Sequence, residues 1–182
     1  MDNLRDELPK RPVQKRYLPW VTYGLLILLL LIAQNTPRMI PALWGARPLL
    51  AVPVTLYIAM YAGPVSGAAA GVAAGLLWDV YATRLFGFNA LILLVLGVAA
   101  GLLVRLLIRN NLLSALLLTI GGLLVQGLCD WLFNYVLPMR ADAVFWLLHG
   151  ILPNLAYTLA VSPIVYGLVR LAAYFLKKRE AV

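Results

Sequence analysis

The architecture of this chain follows from residues 63–91, GPVSGAAAGVAAGLLWDVYATRLFGFNAL. Glycine recurs at every fourth residue here, and the last step reaches a carboxylate: Gly63, Gly67, Gly71, Gly75 and Asp79. Because residues four apart share one face of a helix, the pattern predicts a helix with one nearly bare side. Helices in lipid associate by close backbone approach over small residues. The stretch therefore predicts a membrane helix with a smooth packing or docking face that ends in an aspartate.

The composition of the whole chain is that of an integral membrane protein. Of its 182 residues, 63% are hydrophobic and 12% are charged, and the mean hydropathy is +0.90. Soluble domains contain about twice as many charged residues. No segment between the apolar runs is long enough to fold as a separate soluble domain. We therefore expect one all-helical membrane domain, residues 17–176, between basic cytoplasmic tails at 1–16 and 177–182.

The formal net charge of +8 does not indicate a nucleic-acid partner. The basic residues flank the apolar runs, where they set topology and contact lipid headgroups. The single cysteine, Cys129, lies in an apolar run and has no second cysteine for a disulfide or a metal site. We interpret it as a small core residue. No metal and no cofactor are expected.

The apolar runs predict six membrane spans. The run from Pro48 to Trp78 contains 31 uncharged residues, about 46 Å as one helix against a hydrocarbon core of about 30 Å. Gly63-Pro64 breaks it into a hairpin with short arms, so a partly re-entrant pair is an alternative to two full spans. Pro153 and Pro163 predict a kink in the last span, or a preceding amphipathic turn at 142–149. The six predicted spans are 17–36, 48–62, 64–83, 88–108, 111–137 and 145–176.

The positive-inside rule predicts that both termini are cytoplasmic. With six spans and the N-terminus inside, eleven basic residues fall inside and four outside. The inside residues are Arg5, Lys10, Arg11, Lys15, Arg16, Arg105, Arg109, Arg170, Lys177, Lys178 and Arg179, and the outside residues are Arg38, Arg47, Arg84 and Arg140.

Polar side chains at membrane depth are the candidate functional residues, because an ionisable one costs about 2.5 to 3.5 kcal/mol at a helix centre. Asp79 either fixes the loop that follows it, binds a partner, or lies in interfacial water. Gln126, Asp130 and Asn134 fall on one helix face and form what we call the polar seam. We interpret the seam as hydrogen bonding between helices, with a polar pocket as the alternative.

The fourth span repeats the four-residue spacing in Gly97, Gly101 and Arg105. It is therefore expected to pack against the third span. Arg105 and Arg109 share a face and are expected to meet lipid phosphates, or alternatively a cytoplasmic partner. The lone His149 is interpreted as structural. The sequence has no phosphate-binding loop, nucleophile elbow, HExxH motif or cysteine pair, which predicts that the protein is not an enzyme.

Residues 48–113 combine these features in an order that resembles a known family. An apolar helix leads to a Gly-Pro hairpin, then to a small-residue helix that ends in an aspartate, and about eight residues later to a Gly-x-Asn-Ala-Leu segment. The positions are Gly63, Pro64, Gly67, Gly71, Gly75, Asp79, Gly87, Asn89, Ala90 and Leu91. The run RNNLL at 109–113 adds to the likeness. This pattern is similar to the MreD family of bacterial rod shape-determining membrane proteins.

The resemblance implies a non-enzymatic subunit of the cell-elongation complex that supports peptidoglycan synthesis. Such a subunit would bind MreC in the inner membrane, beside MreB, RodA, a class B penicillin-binding protein and membrane lipids. The implied fold is the six-helix bundle of the substrate-binding subunits of energy-coupling-factor transporters. We hypothesise that the glycine faces and the loop from Asp79 to Asn89 receive the membrane helix of MreC. The alternative function is that of a substrate-binding subunit of a vitamin or small-solute transporter.

Overall fold

The computed structural model describes residues 13–36, 39–42, 45–81, 86–107, 110–139 and 142–180. Within these ranges the protein is helical, apart from turns and irregular segments at 39–42 and 45–50. A π-helical turn at Leu132–Val136 extends the helix Leu112–Trp131, and a second one at Leu147–Ile151 joins the helices Ala143–Trp146 and Leu152–Glu180. The α-helices are α1 Val13–Asn35, α2 Ala51–Ala62, α3 Pro64–Tyr81, α4 Phe88–Leu106, α5 Leu112–Trp131, α6 Ala143–Trp146 and α7 Leu152–Glu180.

The short helix α2 is the centre of the bundle. Its first ten residues, 51–60, are all buried, and it contacts α1, α3, α4, α5 and α7. The helix has 12 residues, which gives a length of about 18 Å against a hydrocarbon core of about 30 Å. The other helices surround α2. Its apolar composition therefore reflects packing against protein and does not indicate a span that faces lipid.

The irregular segment before α2 is held by side chains of α1 and α7. Backbone groups outside helices need such partners where water is absent. The three acceptors are Asn154 Oδ1 for Arg47 N at 2.8 Å, Thr158 Oγ1 for Leu49 N at 2.8 Å, and Gln34 Oε1 for Ala51 N at 3.1 Å. Further along, the ring of Tyr57 meets that of Tyr166 at 5.5 Å. Residues 47, 49 and 57 pair with residues 154, 158 and 166 in turn. Because both sets of numbers rise together, α2 and α7 run in the same direction.

The structure has four helical segments that are long and apolar enough to cross a membrane, among the residues it describes: Tyr17–Asn35, Phe88–Leu106, Leu112–Val136 and Ala143–Arg179. Four of the predicted spans correspond to them. The other two are the arms of the hairpin, of which α2 is too short and α3 is not among the four, so six full spans are not confirmed. The break itself lies where it was predicted, because α2 ends at Ala62, Gly63 has a φ of +87°, and α3 begins at Pro64.

Helix ends differ from the prediction at several places. The first helix begins at Val13, before the apolar part that starts at Tyr17. A short helix and a π turn occupy 143–151, the region where a turn before the last span was the predicted alternative to a kink. Several residues of the sequence predictions lie outside the described ranges. They are residues 1–12, Arg38, residues 82–85 with Arg84, Ile108, Arg109, Arg140 and residues 181–182.

Candidate functional site

The antiparallel pair of α3 and α4 is the largest helix contact in the described part of the protein. A methyl group placed on any of the five glycines within α3 and α4 would overlap the other helix or a residue at its end. The separations would be 2.6 Å from Gly67 to Gly97 O, 2.8 Å from Gly71 to Leu94 N, 2.7 Å from Gly75 to Asn89 C, 2.6 Å from Gly97 to Gly67 C and 2.5 Å from Gly101 to Pro64 Cα. Carbon atoms in contact prefer about 3.5 to 4.0 Å, so these positions accept only glycine.

This contact decides what covers the glycine face of α3. The matching spacing of Gly97 and Gly101 predicts that α4 packs here, and the structure shows this packing. A partner helix could reach the same face only by displacing α4. The hypothesis that the glycine faces receive the membrane helix of MreC is therefore not retained, because α4 of the same chain already fills that surface.

The carboxylate of Asp79 lies at the end of this interface and is 3% exposed. It accepts hydrogen bonds from Gly87 N at 2.9 Å, from Asn89 Nδ2 at 2.7 Å, and from the backbone N–H groups of Asn89 and Ala90 at 3.4 Å. The first N–H groups of a helix lack partners within it, and negative charge is favourable there. Because the N-cap residue, Gly87, has no side chain, Asp79 caps α4 from the end of α3.

Asn89 extends this contact to a third helix. While its Nδ2 donates to Asp79, its Oδ1 accepts a hydrogen bond from Gln126 Nε2 at 2.6 Å. The three side chains come from α3, α4 and α5 and are all buried. We call them the buried polar chain. Gln126 Oε1 has no hydrogen-bond partner among the described residues, so the chain ends in an acceptor that nothing in those residues satisfies.

The predicted polar seam is divided in the structure. Gln126 belongs to the buried polar chain, whereas Asp130 and Asn134 form a separate, half-buried pair. Asn134 Nδ2 donates to Asp130 Oδ1 and to the carbonyl oxygen of Asp130, each at 3.0 Å. Asn134 lies in the π turn Leu132–Val136. The division therefore falls between Gln126 and Asp130, within α5, whereas Asp130 and Asn134 remain paired across the start of the π turn.

Two further residues of the sequence predictions, Arg105 and His149, had weaker signals. Arg105 is exposed in the last turn of α4, next to the turn between α2 and α3. His149 stacks on Phe145 with ring centroids 4.4 Å apart, as expected for a structural role. Gln34, Asn154 and Thr158, which hold the irregular segment, were not predicted, although each is a polar residue in an apolar run. The described residues contain no group of side chains suited to a metal ion.

Comparison with protein families identifies the chain. Residues 14–172 match the model of the family described as "MreD: rod shape-determining protein MreD". The chain belongs to the MreD family. Comparisons with curated proteins and with solved structures gave no match. Membership assigns this MreD protein to rod shape determination, and its apolar helices fit an inner-membrane location. No matching solved structure supports the predicted likeness to the substrate-binding subunits of energy-coupling-factor transporters.

The residues that carry the resemblance to MreD have a structural role in this chain. The glycines set a close distance between α3 and α4, and that distance lets Asp79 reach the first N–H groups of α4. Asn89, two residues after the N-cap glycine, then bridges Asp79 to Gln126 on α5. The motif of this MreD protein thus fastens three helices to one another.

Substitution of Gln126 tests the unsatisfied end of the buried polar chain. We expect Gln126→Met to lower the free energy of unfolding by about 1 kcal/mol, because it removes one hydrogen bond and exchanges one unpartnered acceptor, Gln126 Oε1, for another, Asn89 Oδ1. Gln126→Glu should cost more, since it places a carboxylate against Asn89 Oδ1. Thermal unfolding in detergent, followed by circular dichroism, measures both. Equal stability of the two variants would contradict the assigned donor and acceptor.

Proposed function

We propose that this MreD-family protein is a non-enzymatic scaffold subunit of the cell-elongation complex. It binds MreC within the membrane and helps to couple MreB filaments to RodA and a class B penicillin-binding protein, which supports peptidoglycan synthesis. Family membership supports the role in rod shape, and the partners are those that the resemblance implies. The described helices fit a scaffold because their polar side chains are used to fasten helices together.

The proposed topology places both termini in the cytoplasm. The positive-inside rule favours this orientation. A feature of the bundle supports it, because Trp20, near the start of α1, and Lys177, near the end of α7, line the same cavity. The start of α1 and the end of α7 therefore lie at one end of the bundle. The basic residues at the end of α7 would then face anionic headgroups of the inner leaflet.

The observation that carries the scaffold proposal is an exposed glycine on a long span, against which no described helix packs. Gly121 of α5 is exposed, and a methyl group there would meet nothing within 4 Å among the described residues. The side chains one turn before and after it, Leu117 and Val125, are 61% and 46% exposed. Small residues on membrane helices allow close approach of another helix. The bundle uses the glycines of α3 and α4 internally and leaves Gly121 open, so we place the MreC helix at this face of α5.

The test is recovery of MreC by the tagged protein from mild-detergent extracts of its own cells. We expect Gly121→Leu to lower MreC recovery about tenfold, because the leucine fills the gap between Leu117 and Val125 and costs about 1.4 kcal/mol or more of binding. Gly167→Leu is the matched control, since Gly167 is also exposed with no described atom within 4 Å. It should leave recovery unchanged.

Other outcomes have clear meanings. Loss of MreC with Gly167→Leu alone would move the docking face to α7. Absence of MreC from the wild-type eluate, with transporter ATPase subunits in its place, would overturn the scaffold proposal in favour of the transport alternative. That alternative has no support from the family match, and the divided polar seam does not form the single polar pocket on which it depended.

A further inference from the structure

A cavity of about 800 Å³ opens between α1, α2, α3 and α7, near the start of α1 and the end of α7. Its volume is within the range of about 300 to 1,000 Å³ that is typical of small-molecule sites. The cavity is separate from the buried polar chain, since none of Asp79, Asn89 and Gln126 lines it. We call it the α1–α7 groove.

The charged residues of the α1–α7 groove are both cations. Arg170 and Lys177 line it, and no carboxylate occurs among its described lining residues. The two residues are seven apart on α7, so they share one helix face about 10 Å apart along the axis. Ionisable side chains within a membrane bundle normally pair with a counter-charge or face water. Because no described carboxylate lines the groove beside these two cations, the groove favours an anionic ligand.

The rest of the lining is mostly apolar and fits a lipid, although Tyr23, Tyr61 and Ser66 also line the groove. Small side chains of α3, Ala69, Ala70 and Ala73, leave the space open, and Ile27 and Ile58 form its apolar wall. Trp20 and Tyr174 also line the groove. Tryptophan and tyrosine are enriched at the membrane–water interface. The groove therefore joins a cationic part and interfacial aromatic residues to an apolar channel that runs into the bundle.

We propose that the α1–α7 groove binds one anionic glycerophospholipid. The lipid belongs to the leaflet on the side of the bundle where α1 begins and α7 ends. The phosphate lies between Arg170 and Lys177, and an acyl chain lies against Ala70, Ala73 and Ile27. Charge complementarity selects this occupant, because a hydrocarbon surface alone would accept any lipid tail, whereas the paired cations require a negative headgroup. The proposal is independent of MreC binding, since the open face of α5 contributes no residue to the groove.

Native mass spectrometry of the full chain in detergent, titrated with phosphatidylglycerol or phosphatidylcholine, tests the proposal. We expect one tightly bound phosphatidylglycerol and no comparable phosphatidylcholine. The double substitution R170Q/K177Q should weaken phosphatidylglycerol binding by about 25-fold, at about fivefold for each cation. The double substitution K178Q/R179Q is the matched control, because it removes the same charge from the same end of α7 without touching the groove. It should change the affinity less than threefold.

A second pair of variants separates the groove from surface charge. Ala73 is exposed within the groove, so Ala73→Trp should fill the channel and prevent lipid retention although both cations remain. Ala160→Trp, at an exposed alanine of α7 outside the groove, should retain the lipid. Equal binding of the two lipids, equal losses in the two charge variants, displacement by inorganic phosphate, or a second copy of the chain in place of lipid would each overturn the proposal.

Discussion

Replacing Asp79 with alanine is expected to cost about 4 kcal/mol of unfolding free energy and to lower the amount of folded protein sharply. The variant removes the acceptor of two short hydrogen bonds, from Gly87 N and Asn89 Nδ2, and of two longer ones. A hydrogen bond to a charged group contributes about 1.5 to 3 kcal/mol. Side-chain contacts between membrane helices average only about 0.6 kcal/mol, but here backbone N–H groups would be left without any partner, which costs several times more.

Asp142 provides the matched control. It is also an aspartate with a hydrogen bond, accepted from Trp146 Nε1 at 2.8 Å, but it is exposed. Asp142→Ala should therefore cost about 0.5 kcal/mol or less. Asp79→Asn should fall between the two alanine variants, because it keeps one acceptor oxygen and loses the charge. Thermal unfolding in detergent and the yield of monodisperse protein measure the series. Equal midpoints for the two alanine variants would show that the cap contributes nothing.

The Gly63-Pro64 pair and the length of the apolar run predicted the hairpin, and the four-residue spacing predicted the glycine faces. The matching spacing of Gly97 and Gly101 indicated that α4 packs on α3, but it left a partner helix as an alternative occupant. Small residues permit close approach by any helix, so the spacing of Gly67, Gly71 and Gly75 is the same whether the neighbour is α4 or a partner. The three-dimensional structure shows that α4 fills the face and that Gly121, with no spacing pattern around it, is an open position.

The buried polar chain could be predicted only in part. Asp79 and Gln126 were recognisable as polar residues at membrane depth, but their connection through Asn89 depends on contacts between residues 10 and 37 positions apart. The grouping of Gln126 with Asp130 and Asn134 followed from the four-residue spacing, which the structure keeps for Asp130 and Asn134. Gln126 instead pairs with Asn89 of α4, a contact that spacing within α5 does not report.

The six predicted spans are not confirmed for a different reason. Hydropathy reports how apolar a segment is, and both lipid and a protein core favour apolar side chains. Residues 51–60 of α2 are all buried in protein, so their apolarity reflects packing. The short length of the segment up to Gly63 was the signal in the sequence that it is not an ordinary span.

Gly71→Ala is expected to destabilise the bundle by about 3 kcal/mol, although it adds a single methyl group. That methyl would lie within 3 Å of three backbone atoms of α4, from Leu93 and Leu94. Overpacking commonly costs about 1 to 3 kcal/mol, and the upper end applies because a helix backbone cannot move aside as a flexible side chain can. A leucine at this position should separate α3 from α4.

Gly121→Ala is the matched control and should have the opposite sign. It is the same substitution in a long helix, but its methyl meets no described atom within 4 Å. Alanine is favoured over glycine within a helix by about 0.5 to 1 kcal/mol, so this variant should unfold at a slightly higher temperature than the wild type. For a chain of this size, the 3 kcal/mol lost by Gly71→Ala corresponds to a fall of roughly 10 °C in the unfolding midpoint. If both variants shifted the midpoint in the same direction by similar amounts, close packing of α3 on α4 would not be what holds this bundle together.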